Sequence, residues 1–373
     1  MKHVKAIGGD FDLPSIGLGT MGFGGYFKND HLSPKDSVSV IEAAFDAGIR
    51  VIDTAEIYAE GASEEIIGQV SNVIRDQLFI MSKFSAENSL PAGIRSAIEK
   101  TLGRIRRDYV DVYQPHWPNP DVPFDDILET LEKLKTEGKI KHIGLSNHDI
   151  SHIERTKDLT VSSVRFMQAE FNPIERSSFL NFSKDIEEND GALIAYSPFR
   201  EGQIFHGDQV KTLSNIARSN NCSSAQLILA WVINHDRVIA IPKSSSISRV
   251  LENAAAMTLD IHENDFNRVS DLFQVSITEI PPRFINSVSD IESNNRNVYT
   301  NLDDARRNIL GLSPGPEEIA EEIRANGGRL FKPIKVKQIS GTKQYILVEG
   351  RLRYWAWIIL YGEDLPISAI VLH

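Results

Sequence analysis

A single cysteine, Cys222, occurs in 373 residues. No disulfide can form within the chain, and thiol-rich metal or redox motifs are excluded. Cys222 lies in a stretch of helical character and reads as a small core residue rather than a nucleophile. Long apolar runs are missing as well. None approaches the ~18 residues of a membrane span, and Met1–Ile7 is too short and polar for a secretion signal, so a cytoplasmic protein is expected. Excess positive charge is also lacking. The formal net charge of −11 argues against a general affinity for DNA or RNA, although a local cationic cluster could still hold an anionic ligand. No metal site is expected. What remains is an apolar share of 41% and a charged share of 24%, typical of an ordinary globular protein long enough for one large domain and a small one.

Short β-rich runs alternate with helical patterns from Ile16 to about Phe273. The strand candidates are IGLGT at Ile16, VIDT at Val51, LFIMSK at Leu78, VDVYQ at Val110, HIGLS at His142, RFMQAEFN at Arg165, LIAYSP at Leu193 and VIAIPKS at Val238. They recur about every thirty residues with helices between, as βα units do. One such helix carries Val38, Ile41, Ala44 and Phe45 and closes at Gly48. Apolar runs without alternation suit a parallel sheet covered on both faces. Eight βα units in roughly 250 residues specify a TIM (β/α)8 barrel, whose sites are built at the C-terminal ends of its strands. Lys5–Leu13 could form a hairpin closing the barrel floor.

The segment RVIDTAEIY, Arg50–Tyr58, organises the chemistry. A strand runs into Asp53 and Thr54, and Tyr58 follows a turn later. The next two strands end at Lys83 and His116, so all four side chains are brought to one rim. Taken singly each has a bland reading: a helix cap, a half-buried ring, a solvated amine, a satisfied imidazole. Together they form a proton relay. Asp53 fixes Lys83, the Lys83 ammonium eases loss of the Tyr58 proton, and His116 orients a carbonyl by hydrogen bonding. GTMGFGG at Gly19 is not a dinucleotide fingerprint, because no strand–turn–helix with an acidic partner follows it.

The ordered motifs GLGTM at Gly17, DTAEIY at Asp53, MSKF at Met81, YQPHWP at Tyr113, EGKIKHIGLSN at Glu137, MQAEFN at Met167, AYSPFREG at Ala195 and IPKSSSISRVLEN at Ile241 resemble the aldo-keto reductase family over about Ile16–Phe273. The resemblance implies a catalytic tetrad of Asp53, Tyr58, Lys83 and His116. It places Gly19, Thr20 and Met21 beside a cofactor, Ser146, Asn147 and Gln168 at its nicotinamide carboxamide, and Tyr196 stacked on its ring. Ser197, Pro198, Arg200 and Gly202 fall in the segment that covers a pyrophosphate. Lys243, Ser244 and Arg249 grip a 2′-phosphate, with Glu252 and Asn253 at the adenine. Two cations beside a hydroxyl suit a phosphate dianion better than a ribose diol, so NADPH is expected rather than NADH. Hydride transfer to a carbonyl, with Tyr58 donating the proton, is the implied reaction. A barrel that binds the cofactor and serves only as a regulatory or redox-sensing protein is the alternative. Substrate specificity is not legible: Phe23, Phe27, Trp117 and Phe199 could line an apolar pocket or pack loops.

The βα pattern stops near Gln274. Residues 1–276 are expected to form the barrel, 277–284 a linker marked by Pro281 and Pro282, and 285–373 a small α+β domain. That domain should contain a strand at Ser287–Ile291, a helix at Gly315–Ala325 ending at Gly327 and Gly328, a hairpin over Ile334–Val348 turning near Gly341, a helix from Gly350 to Leu360, and a strand at Ile367–Leu372. EGRLR, with its glycine opening a helix beside Arg351 and Arg353, is a phosphate-binding pattern. With EIAEEIRANG and NNRN near Arg296, it resembles the ParB/sulfiredoxin-like superfamily, which implies nucleotide phosphates at Gly350 and Arg353, with Glu349 able to touch a metal or ribose. The motif lacks a cysteine, so sulfiredoxin chemistry is excluded, and no helix-turn-helix follows, so partition-type DNA binding is not expected. A nucleotide or nucleotide-linked substrate is one reading of this domain, and a docking or dimerisation module is the other.

Overall fold

The computed structural model describes the chain except residues 7–8, 26–31, 150–151, 153–154, 157–163, 274–276, 288–298, 313, 326–327, 329, 331–332, 340 and 373. It divides into two compact units, Met1–Phe273 and Gln274–His373.

In the first unit eight parallel strands follow one another in chain order: β1 (Leu18–Gly19), β2 (Val51–Asp53), β3 (Phe79–Phe84), β4 (Val110–Pro115), β5 (Ile140–Ser146), β6 (Phe166–Glu170), β7 (Ala192–Tyr196) and β8 (Val238–Ala240). Parallel bridges from Ile16 to Ala240 and from Gly19 to Lys243 join the first strand to the last and close the ring. The seam is tight. A Cβ on Gly17 would lie 3.0 Å from both Ile241 and Val51, so only glycine lets the strands approach this closely.

Helices cover the outside of the ring, which is why β2, β3 and β4 are buried along their whole length. The first helix, Pro34–Asp46, buries Ser37, Val40, Ile41 and Ala44, whereas Val38 and Phe45 are only partly buried. The ring interior is filled by Val51, Phe79, Met81, Val112, Phe166, Ile194 and Ile239. An N-terminal hairpin, His3–Lys5 paired antiparallel with Asp12–Pro14, plugs one end with Val4, Phe11 and Leu13. The Phe11 and Phe166 rings sit 5.2 Å apart. The hairpin expected at the barrel floor is therefore present.

The second unit is a mixed five-stranded sheet. Its strands are β9 (Ile277–Ile280), β10 (Ile285–Asn286), β11 (Ile334–Gln338), β12 (Tyr345–Glu349) and β13 (Ile367–Leu372), in the spatial order β9-β13-β11-β12-β10. Helices Leu302–Arg306, Pro316–Ala325 and Arg351–Tyr361 supply Ile319, Ile323, Tyr354, Trp355 and Ile358 to a core with Ile334, Val336, Leu347, Ile367 and Ala369. One sequence expectation is corrected. Residues 277–280 are not linker but the edge strand β9, paired antiparallel with β13 from Ile277↔Ile370 to Ile280↔Ile367. Prolines 281 and 282 end that strand and open a short 3-10 turn. They punctuate the domain; they do not precede it. Most of the strand expected at Ser287–Ile291 lies outside the described residues, as do Arg296 and Gly327; β10 pairs instead through Ile285 and Asn286. Among the described residues, no helix is long and apolar enough to cross a membrane.

Candidate active site

The C-terminal ends of β2 and β3 place a carboxylate and an ammonium against each other inside the barrel mouth. Lys83 Nζ lies 2.8 Å from Asp53 Oδ1. It donates to the Thr54 carbonyl at 2.8 Å and to Tyr58 Oη at 3.4 Å. Three N–H bonds thus meet three acceptors, and the side chains of Lys83 and Asp53 are only 1% and 4% exposed. Burial alone would strip the proton from Lys83, but Asp53 and the Tyr58 oxygen outweigh it and raise the lysine pKa. Burial pushes the Asp53 carboxyl upward, opposed by Lys83 and by a hydrogen bond from Gln168. With all three N–H groups satisfied, the lysine is an ammonium and Asp53 its counter-ion.

Tyr58 stands over this pair, buried and at the start of an unusual turn. Ala59, Glu60 and Gly61 all have left-handed backbone, with φ of 49°, 57° and 94°. For the alanine and the glutamate this costs on the order of 1 kcal/mol each. The surroundings hold the turn in place. Ser63 Oγ shares hydrogen bonds with Thr20 Oγ1 at 2.7 Å and Thr54 Oγ1 at 3.0 Å. Arg104 fills the space under Gly61, where a Cβ would lie 2.4 Å from its guanidinium carbon. Arg104 in turn bonds Glu64 at 2.9 Å, and Glu64 accepts from Ser82 at 2.6 Å, next to Lys83.

His116 follows β4, and its backbone N–H bonds the Phe84 carbonyl at 2.9 Å. Its ring meets that of Tyr58 edge-on at 5.7 Å. Burial, together with the Lys83 charge, lowers its pKa to about 3. The imidazole is therefore neutral at physiological pH and can donate or accept a hydrogen bond without carrying charge. The four side chains read from the sequence as one constellation are brought together at one rim.

The other positions named from the sequence follow the rim around. Asn147, with φ of 60°, donates to the His116 carbonyl at 3.0 Å and accepts from Tyr196 Oη at 2.8 Å. Ser146 is buried beside it. Burial raises the Tyr196 pKa to about 12, so its hydroxyl stays protonated. Beyond Tyr196 the chain turns through left-handed Ser197, Arg200, Glu201 and Gly202, with Pro198 buried and Arg200 bonding back to the Ser197 carbonyl at 2.9 Å. Gly19 bridges to Lys243, which is exposed. Thr20 is fully buried with its hydroxyl on Asp53 O and Ser63, and Met21 is half-buried. Ser244 is buried with its hydroxyl on Ser246 O, and Arg249 is exposed on the helix Ile247–Ala255. Glu252 accepts from Ser223 Oγ at 2.5 Å, and Asn253 is buried. Of the aromatic candidates, Phe23 is core, Phe199 packs on Phe205 and Trp117 is exposed; Phe27 lies outside the described residues.

A model of the aldo/keto reductase family matches residues 15–273. The chain belongs to the aldo/keto reductase family. A glyoxal reductase of Bacillus subtilis is 33% identical over 274 residues, spanning 73% of this chain and 93% of the relative. The methylglyoxal reductase YeaE of Escherichia coli is 31% identical over 256 residues, spanning 68% and 88%. Among solved structures, an aldo-keto reductase from Klebsiella pneumoniae in complex with NADPH superposes with a TM-score of 0.64 at 32% identity, covering 73% of this chain and 96% of that one.

Two features of this aldo/keto reductase were not read from its sequence. The left-handed turn after Tyr58 carries no glycine until its third residue, so nothing in the residue types announced it. Gln114 is fully buried in β4, and Gln168, assigned from the sequence to a cofactor, also donates to Asp53 Oδ1 at 3.0 Å. A fully buried glutamine must find a partner, and VDVYQ contained that signal.

Proposed function

We propose that the chain is an NADPH-dependent oxidoreductase that interconverts a carbonyl and an alcohol, with Tyr58 as the proton donor. One observation carries the reading: a buried ammonium, Lys83, touching both a carboxylate and a phenol, 2.8 Å and 3.4 Å away. Bound NADPH supplies the hydride. Ser146, Asn147 and Gln168 would hold its carboxamide, Tyr196 its ring, and Gly19, Thr20 and Met21 its near edge. The turn Ser197–Gly202 would cover the pyrophosphate, Lys243, Ser244 and Arg249 would pair the 2′-phosphate, and Glu252 and Asn253 would meet the adenine. An exposed lysine and arginine around the N-terminus of the helix Ile247–Ala255 suit a phosphate dianion.

His116, neutral, donates a hydrogen bond to the carbonyl oxygen and fixes its direction. Tyr58 Oη gives that oxygen its proton as negative charge builds there. The phenolate left behind is stabilised by the Lys83 ammonium, and Asp53 keeps that ammonium in place. Alcohol oxidation runs the same proton backwards. The relatives' names make small reactive aldehydes the substrate class to try first.

The test is NADPH consumption by the purified chain with methylglyoxal, glyoxal and a panel of simple aldehydes. Turnover with any of them supports the proposal. Tight NADPH binding with no consumption across the panel would favour the other reading, a non-catalytic regulatory or redox-sensing barrel in the cytoplasm.

For the second unit the reading is a ParB/sulfiredoxin-like domain that binds a nucleotide or nucleotide-linked substrate. What supports it is the backbone at Gly350, left-handed at φ 94°, opening the eleven-residue helix Arg351–Tyr361. Arg351 and Arg353 lie in the helix's first turn, where free N–H groups favour phosphate. Titration with ATP, ADP, CTP and a nucleotide sugar tests it. Binding lost in Arg353→Ala supports it, and no binding across the panel leaves a docking or dimerisation module.

A further inference from the structure

A chain of buried amides runs across the barrel interior to Asp53. Gln114 on β4 donates through Nε2 to Gln168 Oε1 on β6, and Gln168 Nε2 donates to Asp53 Oδ1 at 3.0 Å on β2. Gln114 is 0% exposed and Gln168 3%. The direction of the chain follows from Asp53 alone. A carboxylate only accepts, so Gln168 must turn its NH2 toward it. The Gln168 oxygen then faces Gln114, which must also present NH2. The Gln114 oxygen is left over, and it is buried without a hydrogen-bond partner among the described residues. Such an orphan is costly, and a methionine of similar shape would avoid it. Space for that oxygen comes from β5, where a Cβ on Gly144 would lie 2.5 Å from it.

We propose that Gln114 is a positioning residue: by holding the Gln168 oxygen, it anchors that amide with its NH2 on Asp53 and so keeps the Asp53–Lys83 pair charged beneath Tyr58. The inference rests on the reading of Tyr58 as proton donor. Without the Gln114 donor, the Gln168 oxygen is left unpaired and its amide is held at one end only, so the hydrogen bond to the carboxylate loosens in a dry site. The charged and titratable groups that feel the change are Asp53, Lys83, Tyr58 and His116.

Three variants test this. In Gln114→Met, kcat should fall roughly tenfold, as expected for the loss of one well-placed hydrogen bond. KM for the aldehyde should hold, and the pH profile of kcat should shift. Gln114→Glu has no donor when ionised but regains one as an acid, so its kcat should climb relative to Gln114→Met as pH falls. Gly144→Ala displaces the amide without altering it and should reproduce the kcat loss; it serves as the substitute if Gln114→Met does not bind NADPH. Wild-type kcat and pH profile in Gln114→Met, or in Gly144→Ala where that substitute is used, would overturn the inference. So would a Gln114→Glu profile parallel to that of Gln114→Met. Tyr58→Phe, assayed alongside, separates the two levels. If it keeps full turnover, the parent reading fails. If it is inactive while Gln114→Met is normal, only the positioning role fails.

Discussion

Each unit buries a lysine against a carboxylate, and the two pairs differ in what surrounds them. Lys83 meets Asp53 at 2.8 Å with both side chains sealed, 1% and 4% exposed. Lys335 meets Glu349 at 2.5 Å, and its side chain is 7% exposed, but that of Glu349 is 47% exposed. Water can therefore solvate half of the second pair and almost none of the first. A half-exposed pair contributes little and tolerates loss of its buried member, because the exposed charge left behind is rehydrated. A sealed pair leaves an uncompensated charge when broken. The sealed pair also has a phenol on its third N–H bond, whereas the Glu349 pair has a second cation nearby, with Arg353 3.9 Å away. Similar distances thus occur in two different settings: the sealed pair suits the proposed proton transfer, and the half-exposed pair joins a strand to the residue before a helix start.

That contrast can be broken by experiment. The largest effect belongs to Lys83→Met, which should lower turnover by about 10³-fold, the range of a lost acid–base group, while Lys335→Met leaves turnover unchanged; steady-state NADPH oxidation reads both. Comparable losses in the two variants would erase the distinction. Next, Asp53→Asn strands the Lys83 ammonium and should cost about 3–5 kcal/mol of stability. Lys335→Met, which leaves only the half-exposed Glu349, should cost no more than about 1 kcal/mol. Denaturant unfolding followed separately in each unit by hydrogen exchange would show it.

A smaller effect is pH-dependent and confined to the first unit, since the second has no histidine but His373. His148 donates through Nδ1 to the Ser146 carbonyl, 2.7 Å away, and burial lowers its pKa to about 4. Its folded value lies below the unfolded one of about 6.5. Stability is therefore full above pH 6.5 and is lost as pH falls toward 4, by up to about 3 kcal/mol for this group. His148→Asn, which keeps a donor for the Ser146 carbonyl, should flatten that slope. An unchanged slope would mean the histidine is solvated.

Much of this was legible beforehand because barrel geometry is periodic. Asp53, Lys83 and His116 end successive strands, so their meeting at one rim needed only the strand count. The hairpin of β11 and β12, its turn at Gly341 and the helix opened by Gly350 were likewise marked by glycine. Other features depended on tertiary contacts that no local pattern encodes. Two prolines suggested a linker, yet Ile277–Ile280 had a partner 87 or more residues away in β13, from Ile367 to Ile370. Ala59 and Glu60 adopt left-handed backbone because Ser63 and Arg104 hold the turn from outside it. Gln114 drew no notice because its partner is 54 residues away on β6.

The central claim is that a phenol over a sealed ammonium supplies the proton when a carbonyl is reduced. Tyr58→Phe removes only the hydroxyl. NADPH titration followed by aldehyde turnover on that single variant is the direct measurement. The account predicts wild-type NADPH affinity with turnover abolished; wild-type affinity with wild-type turnover would contradict it.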